Sequence, residues 1–345
     1  MVELNRPLIL DRPLILDRPL ILDRPLILDR IEWHRTLAQR QALAAGESAP
    51  RRWNDLLDGI ARGRIRPAGP ATLFARGIHF GWHLRPSTIA AALFGRPLAY
   101  LCWGVGYHRG LRRRIARMIL RAADVVLVND ARTAEEVRAV AGVEATRLPY
   151  LVDTDFFALA EATRDDFLFC PGANDRDGEV LLGLARCGHR VVWLSNLPEL
   201  DARFAGAHER LSMVTGLSFE ALRDLYRRCA VVVQPLMRDI HAAGQTTTLE
   251  ALASGAPVIL GAGRTAEVFA DAGLVDVVEG KDPGVWSAAV DRALARDRAD
   301  PALARARAAR IARDHAPDAV AARLVEALAR VRVQREAVAA PAANP

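Results

Sequence analysis

Lysine is almost absent: Lys281 stands alone beside 46 arginines in a chain of 345 residues whose formal net charge is +6. A skew this strong points first to a GC-rich coding sequence. Guanidinium forks also match phosphate oxygens, so charge alone leaves a nucleotide, nucleic acid or anionic membrane partner open. Cysteine is scarce too. Cys102, Cys170, Cys187 and Cys229 show no C-x-x-C spacing and mostly sit beside apolar residues, the pattern of buried, reduced thiols in a cytosolic protein. No apolar run approaches the ~20 residues of a membrane span, and no stretch has the continuous apolar region of a signal peptide. The expectation is a cytoplasmic protein, with contact at the inner face of the membrane left open.

What is present is enough apolar material, 51 % of residues, for two domains with separate cores. Residues 6–29 are four identical copies of Arg-Pro-Leu-Ile-Leu-Asp. A proline every six residues forbids a long helix, and four short copies cannot bury a solenoid face, so the repeat is expected to be disordered or loosely extended. Alternation of apolar runs and helical patterns starts near Ala71. Strands are predicted over residues 71–76 and 97–103, a helix over 86–94, a basic helix over 109–123 and a buried strand over 124–130. Thr-Ala-Glu-Glu136 reads as a capping box for the helix that follows. A crossing segment, residues 148–157, leads to further apolar runs at 167–170, 191–194, 211–214, 231–233, 258–260 and 275–278, with a helix at 218–229. Short strands alternating with helices predict an α/β chain with two Rossmann-like domains. The expected division is repeat and linker over 1–45, a first domain over 46–157, a second over 158–335 and a tail over 336–345.

The richest segment is His241-Ala-Ala-Gly-Gln-Thr-Thr-Thr-Leu-Glu-Ala-Leu-Ala-Ser-Gly-Ala-Pro-Val-Ile-Leu260. A glycine turn opens a helix whose first N–H groups, at Gly244, Gln245 and Thr246, are available to an anion with the helix dipole behind them. Glu250 follows a turn later, a carboxylate suited to sugar hydroxyls.

The words Gly-x-x-x-x-Leu-Glu-Ala-x-Ala-x-Gly-x-Pro-Val-Ile resemble the signature of the group-4-like nucleotide-sugar glycosyltransferases. That family has two Rossmann-like domains facing across a cleft, the GT-B fold. Gly216-Leu-Ser-Phe-Glu-Ala-Leu-Arg-Asp-Leu-Tyr226 with the strand after it, Ala123-Asp-Val-Val-Leu-Val-Asn-Asp130, and residues 148–157 extend the likeness over residues 73–269. The resemblance implies a nucleotide diphosphate sugar as donor substrate, no separate cofactor, and a glycan or lipid-linked hydroxyl acceptor. It places the ribose on Glu250, the diphosphate on the backbone of Gly244, Gln245 and Thr246, and the base near Leu217. Two departures stand out. The family's Glu-x7-Glu has Ala242 at its first position, with His241 or Asp239 as local substitutes. In Pro171-Gly-Ala-Asn-Asp-Arg-Asp-Gly178, Asp177 stands where lysine is usual, so the charge that stabilises the departing diphosphate falls to Arg176, with Arg264 as second candidate.

The first domain resembles the family least: its usual first strand and glycine-rich loop are replaced by the repeat, and one βαβ unit is expected to be missing. His79, His83 and His108 fall on its cleft side. His83 and His108 are the candidates to orient sugar or acceptor, beside the alternative of ordinary loop histidines, and no spacing marks a metal site. Arg112, Arg113, Arg114, Arg117 and Arg121 alternate with an apolar face in the basic helix, which is either a solvated domain surface or a contact with anionic lipid. No nucleic acid partner is expected. Two patterns point elsewhere. Gly261-Ala-Gly-Arg-Thr-Ala266, with Glu279 beyond it, imitates a dinucleotide fingerprint and makes an NAD(P)-dependent oxidoreductase a rival, but too few strands follow. Asp153-Thr-Asp155 imitates a metal-binding Asp-x-Asp, yet it lies in the crossing segment, so no catalytic metal is expected. The sequence therefore predicts a retaining, metal-independent sugar transferase, with a non-catalytic binder of nucleotide or glycan as the alternative.

Overall fold

Unbroken apolar runs become strands throughout the chain, because a parallel strand covered on both faces needs no polar side. The computed structural model describes residues 26–28, 42, 45–62, 65–68, 73, 77–161, 163–172, 174–237, 243–270 and 273–339. The first half runs β1 (Leu26–Leu28), α1 (Trp53–Ala61), β2 (Ile65–Pro67), β3 (Ile78–Gly81), α2 (Pro86–Leu93), β4 (Leu98–Cys102), α3 (Gly110–Ala122), β5 (Val125–Val128), α4 (Ala131–Ala141) and β6 (Thr146–Arg147). The second runs β7 (Phe167–Cys170), α5 (Gly178–Arg186), β8 (Arg190–Leu194), α6 (Pro198–Phe204), β9 (Leu211–Val214), α7 (Phe219–Arg228), β10 (Val231–Gln234), α8 (Gln245–Ala253), β11 (Val258–Gly261), α9 (Arg264–Ala270), β12 (Asp276–Val278), α10 (Pro283–Ala299), α11 (Ala302–His315) and α12 (Pro317–Ala339).

Both sheets are parallel and six-stranded among the described residues, ordered β2-β1-β3-β4-β5-β6 and β9-β8-β7-β10-β11-β12. Side chains alternate between the two faces of each. In the second sheet Leu168, Cys170, Val231 and Val233 point to the side of α5 and α10, and Phe169, Val232, Val258 and Leu260 to the side of α8. The two Rossmann-like units expected from the sequence are present.

Four expectations are corrected. The last copy of the repeat is not disordered where it is described: Leu26–Leu28 is buried and pairs with both β2 and β3. That strand is the second of the six in the first sheet, between β2 and β3. The remaining repeat residues lie outside the described ones, as does most of 71–76, and the strand beside β4 is Ile78–Gly81. The second domain does not extend to residue 335. Val320, Ala321, Leu324 and Leu328 of α12 join Leu26, Leu57 and Ile60 in the core of the first half, so α12 packs on the unit of the first sheet. Finally, α4 starts two residues before Thr133, because Asp130 caps it by accepting the Thr133 N–H at 2.7 Å.

Candidate active site

In the second sheet the chain moves outward one way from β7 through β8 to β9, then the other way from β10 through β11 to β12. Loops leaving β7 and β10 therefore part at their carboxyl ends, and such a switch point opens a crevice. Here an isolated antiparallel bridge between Arg176 and Leu236 ties the two loops together. Arg176 is 3 % exposed, and its guanidinium donates to Gln234 Oε1 at 2.8 Å, Pro171 O at 3.0 Å, Asn174 O at 3.1 Å and Thr247 Oγ1 at 3.3 Å. Every one of these partners is neutral. A buried cation fixed by neutral oxygens, with no carboxylate paired to it among the described residues, is a standing attraction for an anion.

Helix α8 begins at the same point. Gly244 is its N-cap with φ 86°, and no side chain caps it, so the N–H groups of the first turn face outward with the helix dipole behind them. Glycine is required here twice over. A Cβ at this position would lie 2.5 Å from Gln234 Oε1, and positive φ disfavours any other residue. Arg176 and the α8 amides share a cavity of ≈ 370 Å³ with Gly172, Asn174 and Asp175, and its opposite wall comes from the first half through Trp103, Asn129, Asp130 and Tyr150. Asp175 has φ 57°, a strained backbone at the cavity edge. The cleft between the two sheets thus pairs a fixed cation and a helix N-terminus on one side with aromatic and amide groups on the other.

The site residues expected from the sequence separate into two groups. Arg176, Gly244, Gln245 and Thr246 meet in this cavity. The others lie away from it. Glu250 is 2 % exposed, and its carboxylate accepts from Tyr226 Oη at 2.9 Å and pairs with Arg52 of the first half at 2.9 Å. Burial, with Glu250 beside it, pushes the Tyr226 phenol well above its ordinary value, so it stays a donor. Glu250 is buried and is not among the lining residues of this cavity. Arg264, 4 % exposed, does not face the cavity; it reaches Glu136 of α4 in the first half, and Thr133 Oγ1 lies 3.5 Å away. Leu217 is half-buried before α7 and is not among the cavity's lining residues.

The histidines do not enter the cavity either. His83 is exposed after β3, and His108 is half-buried with its ring 4.5 Å from that of Tyr107. Burial, with Arg85 near one and Arg112 near the other, lowers both below the ordinary imidazole value. His79 is a buried strand residue of β3, not a cleft residue, and burial lowers it to about 4. Asp177 caps α5 by accepting the Glu179 N–H at 3.1 Å and pairs with Lys281 at 2.7 Å. Asp153 and Asp155 both bind Arg51, so the Asp-x-Asp is an arginine clamp. Gly261–Ala266 opens toward Glu136 through Arg264, and only the edge strand β12 follows β11, which leaves the dinucleotide fingerprint without its second half. Ala242, His241 and Asp239 lie outside the described residues. In α3, Arg117 and Arg121 donate to the Val140 and Ala141 carbonyls at 2.7 and 2.9 Å, which ties two of the five arginines to the end of α4.

Asn129, Gln234 and Tyr150 were not singled out from the sequence. Asn129 carried a signal, standing at the carboxyl end of a fully apolar parallel strand, where sites in such sheets gather. Gln234 closes β10 in the same way.

No family model and no curated protein matches the chain. Solved structures do. A glycosyltransferase from Rickettsia africae is 12 % identical with TM-score 0.66, over 90 % of this chain and 90 % of that one. Anabaena Alr3699/HepE in complex with UDP-glucose is 13 % identical with TM-score 0.64, over 88 % of this chain and 98 % of that one. Sucrose-phosphate synthase from Thermosynechococcus elongatus is 16 % identical with TM-score 0.59, over 76 % and 74 %. The chain has the GT-B fold of these glycosyltransferases, as the motif resemblance implied. Among the described residues no helix is long and apolar enough to cross a membrane.

Proposed function

We propose that the chain is a glycosyltransferase that moves a sugar from a nucleotide diphosphate sugar to the hydroxyl of a glycan or lipid-linked acceptor, with retention at the anomeric carbon and without a metal. The observation that carries this is Arg176, a buried guanidinium held by four neutral oxygens beside the uncapped N-terminus of α8. Departure of a nucleoside diphosphate builds negative charge, and donors already fixed around it stabilise that charge without reorganising. Arg176 and the first-turn amides of α8 would hold the diphosphate, while the Trp103 and Tyr150 wall receives sugar and acceptor. Retention without a protein nucleophile agrees with the carboxylates at the cavity. Asp130 accepts from Thr133 through both oxygens, at 2.7 Å each. The leaving phosphate would then take the acceptor proton on the face it departs from.

The test is release of nucleoside diphosphate from a panel of nucleotide sugars, with and without candidate acceptors, together with binding of UDP. Arg176→Ala is expected to weaken UDP about tenfold to a hundredfold, the equivalent of the ~1.5–3 kcal/mol of a hydrogen bond to a charged group. Tight donor binding with no release under any acceptor would make the chain a binder rather than an enzyme. Saturable binding of a nicotinamide cofactor in the same cleft would replace the reading altogether.

A further inference from the structure

Behind the candidate active site lies a second cavity of ≈ 360 Å³, and Asn129, Tyr150 and Gln245 line both. Its outer wall is cationic. Arg147 comes from the edge strand β6, Arg310 from α11 and Arg323 from α12. The carboxylate there is Asp314, and it is shared by Arg310 at 2.7 Å and Arg313 at 3.0 Å. Neither Arg147 nor Arg323 has an ion pair among the described residues. His315 adds no cation near neutral pH, since burial holds its imidazole below the ordinary value and its Nδ1 lies 2.6 Å from Tyr150 O. Three guanidinium groups therefore face one carboxylate around a volume that suits a small ligand.

Two of the residues that line both cavities carry unmade hydrogen bonds. Gln245 is 3 % exposed and its Nε2 has no partner; Asn129 is 7 % exposed and its Oδ1 has none. Asn129 Nδ2 donates to Leu148 O at 2.8 Å, which fixes the amide and holds its oxygen ready to accept. Buried polar atoms are nearly always satisfied, so a free donor and a free acceptor on residues that line the cavity suit a group that both donates and accepts. A hydroxyl is such a group. The guanidinium forks of Arg147, Arg310 and Arg323 in the same lining match the oxygens of a phosphate monoester.

We propose that this cavity is a second anion site for the phosphate monoester of a small sugar or polyol, its phosphate on Arg147, Arg310 and Arg323 and a hydroxyl between Asn129 Oδ1 and Gln245 Nε2. Arg147 and Arg323 belong to the unit of the first sheet, and Arg310 to the helix packed on α8. An occupant thus draws the two halves together and favours one separation of the cleft walls. The site does not depend on the identity of the donor in the front cavity.

Titration calorimetry with glucose 6-phosphate and with glucose, each with and without saturating UDP, tests it. The expected result is saturable binding of glucose 6-phosphate that survives UDP, at least tenfold tighter than glucose. The double variant Arg147→Ala/Arg323→Ala should lose at least tenfold of that affinity while keeping its affinity for UDP and its melting temperature, because both side chains are exposed. Absence of saturable binding, one-for-one competition by UDP, or unchanged affinity in the double variant would each overturn the proposal.

Discussion

At the scale of single residues, the site rests on how closely Gly244, Gln234 and Arg176 approach one another. Adding a methyl at 244 places it 2.5 Å from Gln234 Oε1 and 3.4 Å from Arg176 Nη2, on a backbone with φ +86°. Gly244→Ala is expected to cost about 1–3 kcal/mol of stability from strained backbone alone, and to weaken UDP at least as much as Arg176→Ala does. Chemical denaturation and a UDP titration check the two halves of this, and wild-type affinity in a folded variant would show that Gln234 does not orient Arg176. A second residue-level expectation concerns the thiols. Burial pushes Cys102, Cys170 and Cys229 up to about 12, whereas Cys187 is exposed. One equivalent of thiol should therefore react with an aromatic disulfide reagent in the native protein and four in denaturant; more than one in the native state would mean that a core opens. Gly244 and Arg176 were legible in the sequence because a glycine turn before a helix and a lone basic residue after a strand carry local geometry. The contacts of Glu250 and Arg264 were not legible, for the opposite reason. Their partners, Arg52 and Glu136, come from the other half of the chain, and no local pattern encodes them.

At the scale of elements, the apolar runs named all six strands of the second sheet but only β4 and β5 of the first, and one of the missed strands is instructive. Leu26–Leu28 sits between proline and aspartate in a sequence repeat that argues against packing, yet it becomes a buried strand because β2 and β3 offer it ladders on both sides. Three residues suffice where the neighbours supply the backbone hydrogen bonds. Identity of the copies has a consequence. Residues 20–22 carry the same Leu-Ile-Leu, six residues earlier. Using them would lengthen the connection to α1 by those six residues, at a loop-closure cost of only roughly 0.2 kcal/mol. Ile27→Asp should therefore be tolerated in the full chain, where a preceding copy takes the strand position, and should unfold the first half in a chain lacking residues 6–23. Thermal melts followed by circular dichroism distinguish these outcomes, and equal destabilisation in both backgrounds would show that only the last copy fits.

At the scale of the whole molecule, arginines fasten the two halves. Arg51 holds Asp153 and Asp155 of the crossing segment, Arg52 holds Glu250, and Arg264 holds Glu136. The last of these spans the cleft between α9 and α4, and it also steadies the loop after β4, since Glu136 accepts the Val105 N–H at 2.9 Å and the Gly106 N–H at 2.8 Å. Burial alone would raise the Glu136 carboxyl, but those two amides and Arg264 outweigh it and hold it below the ordinary 4.5. A carboxyl depressed in the closed form contributes its full share above the ordinary value and loses it as pH falls through the depressed one. The ligand-free protein should therefore stay closed from neutral pH down to the ordinary glutamate range and open only below it. Glu136→Gln should open it at neutral pH and flatten the acid response. Small-angle scattering reads this as the radius of gyration against pH. An unchanged radius in Glu136→Gln would mean that the pair follows closure without holding it, and an opening of the wild type near neutral pH would assign the titration to another group.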